Sequence, residues 1–269
     1  FGLTPEMIGF FSQLLGVEYP WPKYAQMVGR DYVSGAMENT TATLHGSMAY
    51  QKSRSLVDDN NWETTIAHEL FHQWFGDYVT TESWSNITLN ESFANYSQTL
   101  WLEHKYGKDA GDEENYRDMQ KYFSMGTNAL KQLVRFYYTD KEEVFDQVSY
   151  EKGGRILNML RNYLGDSAFF KGLNLYLTTN KFKSTEAHQL RLAMEEVSGK
   201  DLNWFFNQWY FNIGHPEVDI NYQWIDASKE IKVSIQQKQL IPSTFKFPLN
   251  IDVYHHSIKK RYNVWIKDT

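Results

Sequence analysis

The sequence predicts a mainly helical α+β protein, because its apolar periodicity changes once along the chain. Over 114–214, apolar side chains recur at helical spacing in runs separated by Gly, Ser, Thr and Asp. After "GHPE" the period becomes two, as in "VDINYQW" (218–224), which places alternate apolar residues on one face of a strand. We therefore expect a mostly helical domain over 1–214 and the start of a β-sandwich domain over 215–269.

Composition and charge exclude several classes of function. The 269 residues carry a net charge of −6 and form no large basic patch, so we expect neither nucleic acid nor an anionic membrane as a partner. No apolar run is long enough for a membrane span. Because the chain has no cysteine, histidine and carboxylate side chains are the only strong metal ligands that it offers.

Two helices are predicted in the centre of the first domain. The first covers 60–76, where an apolar residue recurs at every fourth position and Gly76 follows the last of them. Asn60 or Asn61 is in position to cap its start. The second covers 88–107, with its apolar residues again on one side and a glycine at its end.

A metal site is predicted on the first of these helices. His68 and His72 are four residues apart, so their side chains lie on one face and can converge on one ion. Glu69 lies roughly 100° further around the helix, where it can face a metal-bound water without binding the metal. This is the H-E-x-x-H arrangement of two ligands and a general base. The motif alone leaves open a surface or core helix without a metal.

Glu91 is the candidate third ligand. It lies nineteen residues beyond His72, after a loop and in the first turn of the second helix. Two helices joined in this way can pack antiparallel, which would bring Glu91 back to the histidine pair. The alternative is structural, because "TLNE" (88–91) matches the capping-box pattern, in which Glu91 would only stabilise the helix start.

The stretch "HELFHQWFGDYVTTESWSNITLNESFANY" (68–96) resembles the signature of the gluzincin zinc aminopeptidases, the aminopeptidase N-like family. "YPWPKY", "GAMEN", the segment that begins "FDQVSYEKGG" and "GKDLNWFFNQWYFNIGHPEV" are similar to further motifs of that family. The resemblance covers roughly residues 11–225. It implies that 1–214 is a thermolysin-like zinc peptidase catalytic domain, with one Zn²⁺ ion per chain.

The resemblance also implies roles for individual residues. Glu38 in "GAMEN" would bind the free amino terminus of a peptide substrate, and a carboxylate can do this through charge-assisted hydrogen bonds. Gly35 and Ala36 have small side chains that would let the substrate backbone approach a strand closely. Tyr150 in "SYEKGG" would donate a hydrogen bond to the developing oxyanion. Glu69 would be the general base.

The sequence departs from the family pattern at several positions. Thr40-Thr41 stand where the family often has Trp-Gly after "GAMEN", and "NESFA" (90–94) replaces the commoner "NEGFA". The chain also lacks the family's N-terminal β-domain, the first strands of its catalytic domain and its C-terminal helical domain. We therefore expect an N-terminally truncated piece of a longer protein.

The predicted function is that of a zinc-dependent aminopeptidase acting on peptides with a free amino terminus. One alternative is a zinc endopeptidase, which would share the metal ligands, although "GAMEN" argues against it. The other is a catalytically weak fragment that acts as a binding scaffold.

Overall fold

The computed structural model describes residues 1–57, 60, 62–240 and 244–267, which fall into two compact units, Phe1–Asn212 and Ile213–Thr269. The described helices are α1 Thr4–Leu15, α2 Trp62–Phe71, α3 Thr88–Tyr106, α4 Lys108–Phe123, α5 Gly153–Leu164, α6 Asp166–Asn180, α7 Ala187–Ser198 and α8 Asn203–Trp209. The strands of the first unit are β1 Ala25–Gly29, β2 Ala36–Met37, β3 Ala42–Gly46, β4 Thr80–Thr81 and β5 Ser184–Thr185. The first unit is thus mainly helical with small sheets.

The strands near the start of the chain form one small sheet in the order β1-β3-β2. β1 runs parallel to β3, whereas β2 runs antiparallel to β3, with Ala36 opposite His45 and Met37 opposite Leu44. The "GAMEN" segment therefore forms the strand β2 and the first part of the turn into β3. Its geometry is fixed by pairing to a strand whose Thr43 and His45 are fully buried.

Aromatic packing joins α2, α3 and α1 into the core of the first unit. Phe75, just after α2, stacks on Phe93 of α3 at a centroid distance of 4.1 Å. Phe71 meets Phe11 of α1 edge to face at 4.8 Å. These rings and Trp74 are 0–1% exposed, so large apolar areas stabilise the contact between the two central helices.

The first predicted helix ends earlier than its periodicity indicated. α2 stops at Phe71, because the following turn tightens into bonds from Gln73 N to Leu70 O and from Trp74 N to Phe71 O, each 3.0 Å. The capping position is only partly described: the Asn60 side chain donates to the carboxylate of Glu63, and Asn61 lies outside the described residues.

The helical run predicted over 114–136 was wrong beyond Phe123, where α4 ends. The backbone N–H groups of Val134 and Arg135 bond instead to carbonyl oxygens of Tyr210 and Ser85, at 3.0 and 3.1 Å. These long-range hydrogen bonds replace the i→i−4 bonds of a helix. The apolar spacing in this segment therefore reflects contacts with distant parts of the unit.

The second unit contains two antiparallel hairpins, one of β6 Val218–Ile225 with β7 Glu230–Gln237, the other of β8 Phe247–His255 with β9 Ile258–Ile266. The predicted alternation is present, and Tyr222 pairs with Val233 and Trp224 with Ile231 across the first hairpin. The β-sandwich itself stays a prediction. In the described part of the chain, no helix combines the length and the apolar character needed to cross a membrane.

Candidate metal centre

Three side chains meet where α2 packs against α3. His68 lies in the last turn of α2, His72 directly after it and Glu91 in the first turn of α3. The Nε2 atoms of the two histidines are 3.2 Å apart. Oε2 of Glu91 lies 3.4 Å from Nε2 of His68 and 3.3 Å from that of His72. All three side chains are buried, so the three ligand atoms form a nearly equilateral triangle inside the unit.

The triangle fits a zinc ion. Zinc ligands at about 2.0–2.1 Å in a tetrahedral arrangement are separated from each other by roughly 3.3 Å. The three measured separations agree with that value. In addition, Oε2 of Glu91 is buried without a well-aligned hydrogen-bond donor among the described residues. A cation at the centre of the triangle would satisfy this oxygen and both imidazole nitrogens.

Hydrogen bonds on the far side of each ring orient the two histidines. Nδ1 of His72 lies 3.0 Å from the carbonyl oxygen of Phe75. Because a carbonyl can only accept, Nδ1 carries the proton, and Nε2 of a neutral His72 presents its lone pair to the triangle. Nδ1 of His68 is held at 3.1 Å by the side-chain amide of Gln98 from α3.

Gly76 makes the turn behind His72 possible. Its φ is 143°, in the region that favours glycine, and a Cβ there would lie 3.2 Å from the His72 carbonyl oxygen and 3.3 Å from Nδ1 of the same ring. The predicted helix end at Gly76 is therefore a tight turn that supports the second histidine.

The capping alternative for Glu91 is wrong. α3 begins at Thr88, its N-cap residue is Ile87, and this cap has no side-chain hydrogen bond. The hydroxyl of Thr88 instead contacts that of Ser92 at 2.5 Å. The carboxylate of Glu91 points to the histidine pair rather than to the helix start.

The charge balance of the triangle favours an ionised Glu91. Burial acts to raise the pKa of Glu91, but the neighbouring imidazoles of His72 and His68 outweigh it and hold the pKa well below its usual value. Burial lowers the pKa of His68. Burial acts to lower the pKa of His72, but the negative charges of Glu38 and Glu91 outweigh it and raise the pKa, so without a cation this ring shares a proton with Glu91. A divalent cation would displace that proton and bind the carboxylate and the two imidazoles.

Glu69 is a buried carboxylic acid next to the triangle. It is 7% exposed, and its Oε2 has no hydrogen-bond partner in the described part of the chain. Burial is the main cause that raises its pKa to about 8, and the negative charges of Glu38 and Glu91 act in the same direction. The side chain is thus placed to exchange a proton near neutral pH.

Tyr150 lies on a π-helical turn, Val148–Lys152, at the start of α5. Its ring stacks parallel to that of His68 at a centroid distance of 5.8 Å. Burial and the negative charge of Glu91 raise the pKa of Tyr150 above its usual value, so the phenol stays protonated. Asp146 holds the turn by accepting the N–H groups of Val148 and Ser149 at 3.0 and 3.1 Å.

A cleft of about 850 Å³ opens onto these residues. The predicted site residues Ala36, Glu38, His68, Glu69, His72, Glu91 and Tyr150 all line it. The remaining one, Gly35, is exposed and pairs through its carbonyl oxygen with the backbone N–H of Gly46 at 2.8 Å. A Cβ on Gly35 would meet nothing within 4 Å, so packing does not require a glycine there.

Sequence reasoning did not identify the residues that position the site residues through hydrogen bonds. Gln73 contacts the "GAMEN" turn, Gln98 contacts His68, and Asp146 supports the turn of Tyr150. One signal was present for Gln73, since it stands between the predicted metal ligand His72 and Trp74 in an apolar stretch, where a polar residue needs a buried partner. The other two carry no such pattern.

Comparisons with known proteins identify the class of this fold and site. Residues 1–209 match the model of the peptidase family M1 domain. The chain is 31% identical over 260 residues to aminopeptidase N of Streptomyces lividans, covering 91% of this chain and 30% of that protein. It is 33% identical to aminopeptidase N of Lactococcus lactis subsp. lactis, covering 80% and 26%. Tricorn protease-interacting factor F2 of Thermoplasma acidophilum is 32% identical, covering 81% and 29%.

A solved structure gives the same class. A variant of the M1 zinc metallopeptidase from Deinococcus radiodurans superposes with a TM-score of 0.67 at 25% identity, covering 80% of this chain and 46% of that one. A second structure of that protein, bound to a Tyr-Ser-Ala substrate, superposes with a TM-score of 0.65 at 26% identity. The chain belongs to peptidase family M1, which confirms the family resemblance. It spans less than a third of the length of these curated relatives.

Proposed function

We propose that this chain carries the catalytic site of a zinc-dependent aminopeptidase, which removes the amino-terminal residue from peptides. The observation that carries the proposal is one cleft that contains both a metal-binding triangle and the half-buried carboxylate of Glu38. Relatives named aminopeptidase N support the same activity. The partners would be peptides with a free amino terminus.

His68, His72 and Glu91 would hold one zinc ion. When bound, zinc supplies a Lewis acid that polarises the scissile carbonyl and lowers the pKa of a water molecule. The triangle uses three protein ligands, which leaves a tetrahedral ion one position for water or substrate.

Glu69 acts as the general base. Glu69 lines the cleft beside the ligands, and its buried Oε2 has no hydrogen-bond partner among the described residues. The carboxylate would take a proton from the attacking water and pass it to the leaving amine. A carboxylate whose pKa is raised by burial is a stronger base than an exposed one, and after protonation it is an acid of suitable strength for the amine.

Tyr150 donates a hydrogen bond to the oxyanion of the tetrahedral intermediate. Its raised pKa keeps the hydroxyl protonated at neutral pH, so it can act as a donor throughout the reaction. One such donor contributes about 3 kcal/mol of transition-state stabilisation.

Glu38 binds the ammonium group of the substrate, and the small residues Gly35 and Ala36 beside it allow the substrate backbone to approach β2. A charge-assisted contact of this kind fixes the scissile bond one residue from the amino terminus. An endopeptidase would gain nothing from a carboxylate at this place in the cleft.

The test uses alanine p-nitroanilide and its N-acetylated form, each with and without a zinc chelator. The proposal expects cleavage of the free amine only, and loss of cleavage with the chelator. Equal cleavage of the acetylated compound would favour the endopeptidase alternative. Zinc binding without cleavage of either compound would favour the binding-scaffold alternative.

A further inference from the structure

We infer that Gln73 is a positioning residue for substrate binding: its side-chain amide binds the turn 38–41 to the segment that directly follows α2, and thereby sets the position of the Glu38 carboxylate. The inference rests on the proposed function, in which Glu38 binds the substrate ammonium.

The amide of Gln73 uses its full hydrogen-bonding capacity. Its Nε2 donates to the carbonyl oxygen of Glu38 and to Oδ2 of Asp77, both at 2.9 Å. Its Oε1 accepts the N–H of Thr41 at 2.9 Å and the hydroxyl of Tyr19 at 3.2 Å. The carbonyl oxygen of Glu38 can only accept a hydrogen bond, and the N–H of Thr41 can only donate one. Together they allow one orientation of the Gln73 amide. Gln73 is 0% exposed.

The segment that the amide holds is a tight turn in an unfavourable conformation. The N–H of Ala42 bonds to the carbonyl oxygen of Asn39 at 2.8 Å, which closes the turn. Thr41 has a φ of 66°, in the left-handed region, which is rare for a β-branched residue. A strained conformation of this kind persists only when its surroundings hold it, so the turn needs support from outside.

Gln73 supplies that support at both ends of the turn. It bonds to the carbonyl oxygen of Glu38, where the turn begins, and to the N–H of Thr41, the residue with positive φ. Because Gln73 directly follows His72 in the chain, its hydrogen bonds connect the turn to the neighbour of a proposed metal ligand. A shift of the turn therefore changes the distance between Glu38 and the metal-binding triangle.

These hydrogen bonds matter for function because they act on the backbone that carries the Glu38 side chain. Within the described residues its carboxylate accepts no hydrogen bond, although the residue is half-buried in the cleft. Its oxygens are thus free for an ammonium group, and the backbone position alone decides where they lie. A positioning residue that acts on this backbone should affect amine recognition more than metal binding.

The test compares two probes by calorimetry on the zinc-loaded chain: alanine hydroxamate and propanohydroxamate, which lacks only the amine. A charge-assisted hydrogen bond predicts that the amine tightens binding by about 10- to 100-fold in the wild type. Glu38→Gln should abolish this preference. Gln73→Met should reduce it to about threefold or less, with the affinity for propanohydroxamate and the zinc content unchanged, because the uncharged part of the site is intact.

A rescue variant tests the route through the turn. Glycine adopts positive φ without help, so Gln73→Met combined with Thr41→Gly should regain about threefold or more of the lost preference. If the double variant prefers the amine no more strongly than Gln73→Met does, Gln73 does not act through the turn. Gln132→Met is the matched control, since Gln132 also donates its amide to a backbone carbonyl, that of Phe211, at 2.8 Å; it should keep the wild-type preference.

The outcomes separate the inference from the proposed function. A wild-type preference in Gln73→Met, with none in Glu38→Gln, would overturn the inference and leave the proposed function standing. A wild-type preference in Glu38→Gln would overturn the proposed role of Glu38 itself. Loss of zinc from Gln73→Met would also overturn the inference, since the amide would then serve the metal. If Gln73→Met does not fold, Gln73→Asn takes its place, because its amide is too short to reach both partners.

Discussion

The close contact between the Tyr150 turn and α3 gives a sharp prediction for Gly153→Ala. Gly153 has helical dihedral angles, φ −60° and ψ −44°, so its backbone accepts alanine. However, a Cβ there would lie 1.7 Å from Oγ of Ser92 and 2.5 Å from its Cβ. Ser92 cannot rotate away freely, because its hydroxyl donates to the carbonyl oxygen of Ser149 at 2.6 Å. The added methyl group must push α5 and the turn away from α3.

The expected loss follows from two opposing effects. Overpacking of a close contact costs about 1–3 kcal/mol, whereas Gly→Ala in a helix gains up to about 1 kcal/mol. Because the added Cβ would lie only 1.7 Å from Oγ of Ser92, the cost falls in the upper part of its range. The net loss of about 1–2 kcal/mol would lower Tm by roughly 2–8 °C in a unit of this size. Gly9→Ala in α1 is the matched control, because a Cβ there meets nothing within 4 Å. It should raise Tm slightly.

A double-mutant cycle assigns the effect to the predicted contact. Ser92→Gly alone costs about 2 kcal/mol through lower helix propensity and the lost hydrogen bond. Combined with Gly153→Ala it removes the clash, so urea denaturation should give a favourable coupling of about 1–3 kcal/mol. Since Tyr150 precedes Gly153 by three residues, kcat should fall in the single variant and recover in part in the double one. Additive losses, or an unchanged Tm in Gly153→Ala, would refute the reasoning.

Three further predictions concern the catalytic groups and one buried lysine. Glu69→Gln should retain zinc by elemental analysis and lose about 10²–10⁴-fold in kcat, as expected when a general base is removed; an active variant would reject this role. Glu91→Ala should lose zinc on dialysis against a chelator that leaves the wild type loaded, and full occupancy would contradict ligation. Burial, followed by the charge of Arg135, lowers the pKa of Lys152 to about 8, so the unfolded chain binds more protons between pH 8 and 10.5. The free energy of unfolding of the wild type, relative to that of Lys152→Met, should therefore rise by up to about 3 kcal/mol between pH 8 and 10.5. A difference between the urea midpoints of the two proteins that is the same at pH 7 and pH 10 would contradict it.

Local pattern was sufficient for the elements that bury one apolar face. α3 extends over Thr88–Tyr106, against a predicted 88–107, because one apolar side and a terminal glycine determine a helix well. The helix predicted over 124–136 was wrong for the opposite reason. Its backbone bonds to Tyr210 and Ser85, far away in sequence, and no local periodicity encodes such partners.

Some residues of the candidate site could be placed from local spacing, and others could not. His68 and His72 could be paired by helical spacing alone. Glu91 required the further assumption that α2 and α3 pack antiparallel, and spacing alone left its capping role open. Glu38 and Tyr150 could not be placed by spacing, because a small sheet and a π-helical turn bring them to the cleft. Only the family resemblance pointed to them.

The structure shows how Thr41 and Ser92, two residues that depart from the expected family motif, are accommodated. Thr41 adopts a φ of 66° and donates its backbone N–H to Oε1 of the buried Gln73 side chain. A strained residue of this kind costs about 1–3 kcal/mol unless its surroundings determine it. The Ser92 side chain lies against Gly153, and it fits there because Gly153 has no Cβ. Each departure therefore adds a side chain next to the turn that carries a proposed catalytic or binding group, and each is accommodated by one partner. Substitutions at these partners should disturb Glu38 and Tyr150 separately, since Gln73 and Gly153 contact different turns.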